Sequence, residues 1–176
     1  MYKVVNNISI IGMSLSGKTT LGSNLAKKFD MIFFDLDLEV EKKLKMEISE
    51  AYNCMHISQI SQIFIEVYEE LILIDNCIIA TSGYFGVYYD FKYIKNIYFL
   101  DISFEIFLLR IKNSKKYMYL RENKNRKILK LPLCYIEKDY KYKKPIYISK
   151  ATHSFKVDTL IDLLKIENYI KKTFIN

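Results

Sequence analysis

Short apolar runs alternate along the chain with segments in which apolar residues recur at helical spacing. The strand-like runs, several of them β-branched or aromatic, are residues 8–12, 31–35, 77–81, 96–101 and a weaker 153–157. The helix-like segments are residues 19–29, 38–44, 57–74, 104–111 and 159–174. Because a right-handed crossover between parallel strands needs a helix, this alternation predicts an α/β fold with a largely parallel sheet covered on both faces.

The chain length fits a single domain. Its 176 residues, of which 51% are hydrophobic, are enough for one full-sized core. The sequence contains no repeats and no Pro/Gly/Ser-rich linker, so we expect one domain over residues 1–176. Residues 113–132 are charged and weakly periodic, which is typical of an irregular, mobile lid.

The composition indicates where in the cell the protein is expected and which chemical class of partner it binds. No apolar run reaches the roughly 18 residues of a membrane span, and we expect a cytoplasmic protein without a membrane partner. The three cysteines lie far apart without a Cys-x-x-Cys pair, which argues against a disulfide framework or a zinc site. The net charge of +7 favours an anionic partner, and we expect a small molecule rather than nucleic acid, because the only dense basic block is residues 112–130.

A phosphate-binding motif joins the first strand to the first helix. Residues 9–29 read SIIGMSLSGKTTLGSNLAKKF and contain Gly-x-x-x-x-Gly-Lys-Thr. In such a loop, backbone N–H groups and the positive end of the helix converge on a phosphate, the lysine reaches the terminal phosphates and the threonine ligates Mg²⁺. The predicted nucleotide-binding residues of the loop are Gly12, Leu15, Ser16, Gly17, Lys18, Thr19 and Thr20.

Two acidic residues follow the second strand. Asp35 and Asp37 are two positions apart in FFDLDLEVEKK, so they share a face if the strand continues. At the carboxyl edge of a parallel sheet, one carboxylate can hold Mg²⁺ and the other can accept a hydrogen bond or proton from a substrate hydroxyl. The alternative is that either residue caps the next helix. We expect the side chains of Lys18 and Asp35 to face solvent and phosphate rather than the core.

With these motifs the chain resembles the shikimate kinases, which are small single-domain P-loop kinases. The resemblance rests on GMSLSGKTT, FFDLDLEVEK, IIATSG at the third strand, FLLR before the lid and KKPIYISKA before the last strand. It implies a P-loop kinase fold with a five-stranded parallel sheet of order 2-3-1-4-5, flanking helices and a lid after Arg110. It also implies a monomer that moves the γ-phosphoryl group of ATP, with Mg²⁺, to the 3-hydroxyl of shikimate in aromatic amino-acid biosynthesis.

Carried over position by position, the resemblance assigns roles to individual residues. Asp35 matches the magnesium-associated aspartate, Asp37 the aspartate that binds shikimate's hydroxyls, and Arg110 an arginine that lies against adenine. The implied roles are catalysis for Lys18 and Asp37, ATP binding for the loop residues and Arg110, metal binding for Thr19 and Asp35, and substrate binding for Asp37, Gly83 and Lys143.

Several residues depart from the family pattern at positions where the family binds its anionic acceptor. A Phe-Arg pair expected on the helix after the second strand falls at Ile60-Ser61, so a carboxylate-binding cation is missing there. The glycine triplet after the third strand is Ser82-Gly83-Tyr84, and Tyr84 would crowd the pocket floor. The lid arginine becomes Tyr117, and Lys143 replaces another arginine.

These departures leave three functions open. The first is a shikimate kinase with an altered acceptor site, whose acceptor affinity falls roughly tenfold or more with the loss of one bidentate arginine. The second is a kinase of another small hydroxyl compound with less negative charge, which Ser61 and Tyr84 would suit better. The third is a catalytically silent module that binds ATP or ADP.

Overall fold

The structure is a computed structural model that describes residues 7–114, 120–122 and 128–174. Its strands are β1 (Ile8–Ile11), β2 (Ile32–Asp35), β3 (Cys77–Ala80), β4 (Asn96–Asp101), β5 (Leu120–Glu122), β6 (Ile128–Lys130) and β7 (His153–Lys156). Its helices are α1 (Lys18–Phe29), α2 (Leu36–Leu44), α3 (Ile48–Cys54), α4 (Ile57–Leu71), α5 (Phe85–Tyr88), α6 (Phe104–Lys112), α7 (Leu133–Lys150) and α8 (Leu160–Phe174).

The main sheet has five parallel strands in the order β2-β3-β1-β4-β7. All residues of β1 and β3 are buried, and because successive side chains of a strand point to opposite faces, both faces of the sheet centre are covered. The register places Ile10 beside both Ala80 and Tyr98, so the segments after β1, β3 and β4 leave the sheet at one edge. The predicted α/β class and strand order are confirmed.

Three helices have no counterpart in the predicted pattern, namely α3, α5 and α7. The short α3 and α5 span only seven and four residues. The long α7 buries Ile136, Tyr140, Lys143 and Tyr147 at helical spacing, but only one of these is aliphatic, and Pro145 lies inside the helix. A proline argues against a helix interior when the sequence is considered alone. Within the described part of the chain, no helix is long and apolar enough to cross a membrane.

An aromatic cluster fixes the segment that follows β3. The ring centroid of Tyr68, on α4, lies 4.8 Å from those of Phe85 and Tyr89. Tyr68 is fully buried, and its hydroxyl shares a 2.6 Å hydrogen bond with Ser9 on β1. Such ring pairs contribute about 0.5–1.5 kcal/mol each beyond the area that they bury. The cluster therefore holds α5, and the turn before it, against β1 and α4.

The predicted lid, residues 113–132, lies partly outside the described residues, which omit 115–119 and 123–127 and with them Tyr117. In the described part, β5 and β6 form a two-stranded antiparallel sheet in which Leu120 is opposite Lys130. The expectation of an irregular segment is therefore wrong for these two strands, while the lid role stays a prediction.

Candidate active site

The turn between β1 and α1 depends on two glycines. Gly12 and Gly17 have φ angles of 145° and 97°, a region that residues with a β-carbon rarely adopt. A β-carbon on Gly12 would also lie 2.9 Å from the carbonyl oxygen of Leu100. Gly17 is the N-cap residue of α1, so the N–H groups of the first helical turn, which have no partner within the helix itself, follow directly on the loop, as a phosphate-binding site requires.

Lys18 lies within the loop rather than in solvent. Its side chain is largely buried, with the residue 8% exposed. Nζ donates hydrogen bonds of 3.0 and 2.7 Å to the carbonyl oxygens of Gly12 and Met13. The expectation that Lys18 faces solvent is therefore wrong, because its ammonium links the end of the loop to its start.

Arg110 supports the same loop from α6. Leu15, in the middle of the loop, has a φ angle of 67°, in the left-handed region that costs an ordinary residue about 1–2 kcal/mol. Its carbonyl oxygen accepts a 2.8 Å hydrogen bond from Arg110 Nη1, and Nη2 donates to the Val157 carbonyl oxygen at 3.4 Å. One guanidinium thus joins α6, the loop and the residue after β7.

Thr19 and Asp35 meet beside the start of α1. The Thr19 hydroxyl donates to Asp35 Oδ2 at 2.7 Å, and Asp35 Oδ1 accepts from the Asp37 backbone N–H at 3.1 Å. Asp35 is therefore the N-cap residue of α2, which begins at Leu36. The strand ends at Asp35 and does not continue to Asp37, and the capping alternative holds for Asp35. Capping leaves Asp35 in the site, because its other oxygen contacts Thr19.

A cavity of about 400 Å³ opens beside the loop. Its lining residues are Ser14, Leu15, Gly17, Lys18, Thr19, Thr20, Asp35, Asp37, Thr81, Gly83, Arg110 and Leu163. The predicted site residues that do not line it are Gly12, Ser16 and Lys143. Gly12 and Ser16 shape the loop from behind, since Ser16 is 1% exposed and a β-carbon on Gly12 would lie 3.2 Å from its Oγ.

Three lining residues, Ser14, Thr81 and Leu163, are not among the predicted ones. Ser14 lies inside the motif, and a β-carbon on Gly83 would lie 2.8 Å from its backbone nitrogen, so Gly83 lets the turn after β3 approach the loop. Thr81 directly follows a buried parallel strand, a position that could have marked it from the sequence. Leu163 comes from α8, and no local pattern marks it.

Two tyrosines lie near Asp37, Tyr52 on α3 and Tyr88 on α5, and Tyr84, after β3, packs beside Tyr88; these three residues are here called the tyrosine cluster. Burial raises the pKa of Tyr52 and of Tyr88, and the negative charge of Asp37 raises both further. A hydrogen bond between Tyr88 and the Ser61 side chain partly offsets that pKa shift. The rings of Tyr84 and Tyr88 lie 5.5 Å apart. Tyr52 and Tyr88 therefore stay protonated at neutral pH and present hydroxyl groups beside a carboxylate.

Lys143 lies behind the tyrosine cluster, on α7. It is 4% exposed, although lysine is rarely buried without a partner. Nζ pairs with Asp139 Oδ2 at 2.8 Å and lies 5.3 Å from the centroid of the Tyr84 ring. The predicted substrate-binding Lys143 is thus held by a carboxylate and an aromatic ring and does not line the cavity.

A family model, a curated relative and two solved structures carry the same family name. Residues 15–167 match the family described as Shikimate kinase. The chain is 32% identical to the shikimate kinase of Aquifex aeolicus over 148 residues, which cover 82% of each chain. It is similar in fold to a shikimate kinase from Bacteroides thetaiotaomicron, with a TM-score of 0.81, 19% identity and coverage of 97% of this chain and 98% of that one. A shikimate kinase from Acinetobacter baumannii, solved in complex with shikimate, has a TM-score of 0.78, 21% identity and coverage of 98% of this chain and 96% of its own.

Proposed function

The chain belongs to the shikimate kinase family, whose members are ATP-dependent small-molecule kinases, and we propose that it transfers the γ-phosphoryl group of ATP to a hydroxyl of shikimate. The observation that carries this proposal is that one cavity is lined by Lys18, Thr19 and Asp35 and also by Asp37. Phosphoryl transfer needs this combination, because catalysis depends on positioning the two substrates and on stabilising charge.

ATP fits the loop side of the cavity. The N–H groups at the start of α1 and the ammonium of Lys18 are the groups that would hold the phosphates. Arg110 and Leu163 line the same cavity, and we place the adenine against them, because a planar guanidinium and an aliphatic side chain both pack well on a base. Leu15 and Thr20 border this path, with Gly12, Ser16 and Gly17 shaping the loop beneath it.

The residues present fit Mg²⁺. The Thr19 hydroxyl and the Asp35 carboxylate lie 2.7 Å apart, and both are the oxygen donors that Mg²⁺ prefers. Among the residues that the structure describes, no group of three or more His, Cys, Asp or Glu side chains could hold a metal. Two protein anchors beside a phosphate site are the usual arrangement for Mg²⁺, which when bound neutralises charge on the phosphates.

Asp37 acts on the acceptor in this proposal. It lies in the first turn of α2 and lines the cavity that Lys18 also lines. We assign Asp37 to orient the acceptor hydroxyl and to take its proton as the new P–O bond forms and the bond to the departing ADP oxygen breaks. Gly83 allows the acceptor to approach, because its missing side chain keeps the turn after β3 close to the loop.

A second acceptor class is favoured by one contact. Ser61, at the position of the family's carboxylate-binding arginine, is uncharged, and its side chain lies close enough to Tyr88 to lower the pKa of that tyrosine. This pair suits a small hydroxyl compound with less negative charge than shikimate. We further propose a monomeric, cytoplasmic enzyme of aromatic amino-acid biosynthesis that binds neither nucleic acid nor membranes, as the family membership and the composition suggest.

An assay of ADP release tests the proposal, with shikimate and a panel of small alcohols as acceptors and with MgATP binding measured by calorimetry. Shikimate-dependent ADP release is the expected result. Release with another alcohol only would replace shikimate by that acceptor class. MgATP binding without turnover of any acceptor would reject the kinase proposal in favour of a silent nucleotide-binding module.

A further inference from the structure

We infer that Tyr84 sets the acceptor specificity of the proposed reaction. Its ring covers the ammonium of Lys143, so the pocket binds its acceptor through hydroxyl groups and distinguishes little between a carboxylate and a neutral group on that acceptor. The inference rests on the proposed function, because it concerns the compound that receives the phosphoryl group.

The first step is the position of the Lys143 charge. Lys143 is 4% exposed, and its Nζ contacts Asp139 at 2.8 Å and the face of Tyr84 at 5.3 Å from the ring centroid. An ammonium between a carboxylate and a ring face is already neutralised and desolvated. An acceptor anion would gain from this charge only if the ring moved aside.

The second step is that the Tyr84 ring is held in place. Tyr84 follows Gly83, which lines the cavity, and the Gly83 carbonyl oxygen accepts a hydrogen bond from the buried Tyr147 hydroxyl. The Tyr84 ring also packs 5.5 Å from that of Tyr88. Tyr84 itself is 40% exposed, whereas Lys143, whose ammonium its ring contacts, is 4% exposed.

The third step concerns the charges that an acceptor would meet. Among the residues that the structure describes, the positively charged ones that line the cavity are Lys18 and Arg110, and both donate to carbonyl oxygens of the phosphate-binding loop. Asp37 also lines the cavity, and its negative charge raises the pKa of Tyr52 and of Tyr88, which bring no positive charge to this side. Within the described part of the chain, a carboxylate on the acceptor would therefore meet the like charge of Asp37 and gain no advantage over a neutral amide.

The test compares kcat/KM for shikimate with kcat/KM for its neutral carboxamide, which keeps the ring hydroxyls. For the unmodified protein we expect a ratio below roughly tenfold, the scale of one charge-assisted contact. Tyr84→Gly should uncover Lys143 and raise the ratio by roughly tenfold or more in favour of shikimate. The double variant Tyr84→Gly/Lys143→Met should return the ratio to its original value. Tyr84→Phe, which keeps the ring and loses only the hydroxyl, is the matched control and should leave the ratio unchanged.

Each of the other outcomes rejects either the inference alone or the proposed function together with the inference. A ratio above roughly tenfold in the unmodified protein would overturn the inference without any variant, since it would mean that a charge-assisted contact already holds the carboxylate. Turnover of shikimate with no change of the ratio in Tyr84→Gly would overturn the inference and leave the proposed function intact. Failure of both compounds as acceptors, with MgATP bound, would overturn the proposed function and the inference with it. If Tyr84→Gly does not fold, Tyr84→Ser carries the same expectation.

Discussion

The hydroxyl of Thr19 and the carboxylate of Asp35 form a 2.7 Å hydrogen bond although they lie 16 positions apart in the chain. Thr19 lies in the first turn of α1 and Asp35 ends β2, and β3 lies between β1 and β2 in the sheet. The contact therefore spans the end of β3 and depends on the whole sheet edge. It unites the two groups proposed to hold Mg²⁺ at the mouth of the phosphate-binding loop.

Asp35→Asn separates the charge of this residue from its capping role. Asparagine is as good an N-cap residue as aspartate, so we expect the free energy of unfolding to change by less than about 0.5 kcal/mol. MgATP-dependent turnover should fall at least about a hundredfold, because the carboxylate charge is lost at a site of charge stabilisation. Denaturant unfolding and an ADP-release assay measure the two effects. Retention of more than about a tenth of the activity would contradict the metal-binding role.

Lys18→Met should impair both turnover and stability. The variant leaves the Gly12 and Met13 carbonyl oxygens without the ammonium that they accept from, which costs about 1–3 kcal/mol for a buried polar group. Turnover should fall at least about a hundredfold with the loss of a phosphate-binding charge. Lys27→Met, an exposed position on the same helix, is the control and should leave both unchanged. Equal unfolding free energies for the Lys18 variant and the unmodified protein would show that the loop does not depend on these hydrogen bonds.

Arg110→Met should weaken ATP binding by roughly tenfold, the equivalent of about 1.4 kcal/mol. The guanidinium holds Leu15 in its left-handed conformation through a 2.8 Å hydrogen bond, and it lines the cavity. Arg110→Lys keeps the positive charge but loses the planar guanidinium with its two hydrogen-bonding arms, so it should weaken ATP binding nearly as much as Arg110→Met does. Calorimetric titration with MgATP measures both variants. Full affinity in Arg110→Lys would mean that charge alone, and not loop support, explains the residue.

Stability should fall steeply in alkaline solution because of buried tyrosines. Burial raises the pKa of Tyr98 from its ordinary value of 10.0 to about 12 and raises that of Tyr68 as well. Above about pH 10 the unfolded state loses these protons while the folded state keeps them, so the unfolded state is favoured as pH rises. The stabilisation is complete below about pH 10 and is lost toward about pH 12. Denaturant unfolding at several pH values, with the tyrosinate absorbance, measures this loss.

Tyr98→Phe is the control for that pH dependence, because it removes one titrating hydroxyl from the core. Its stability should decline less between about pH 10 and 12 than that of the unmodified protein, by up to about 2 kcal/mol. An identical decline in both proteins would show that Tyr98 does not contribute.

The sequence alone determined the sheet and the phosphate-binding loop, because their signals are local. Strands that are buried on both faces appear in the sequence as short apolar runs. The backbone conformations at Gly12 and Gly17 are ones that residues other than glycine rarely adopt. The strand order came from resemblance to a family rather than from these runs, since no local pattern encodes which strands become neighbours. The sequence predicts Asp35 as a site residue for the same local reason, and it leaves open whether Asp35 caps the next helix, which the structure decides.

The tertiary structure alone decided what surrounds the side of the cavity where we propose that the acceptor binds. The contact between Tyr84 and Lys143 joins residues 59 positions apart, and α7 buries lysine and tyrosine where a pattern of aliphatic residues would have revealed a helix. Leu163 lines the cavity from the last helix. The Lys18 side chain turns toward the loop because the loop's own carbonyl oxygens accept hydrogen bonds from its ammonium group. Such arrangements depend on long-range packing and on the pairing of buried charges, which spacing along the chain does not specify.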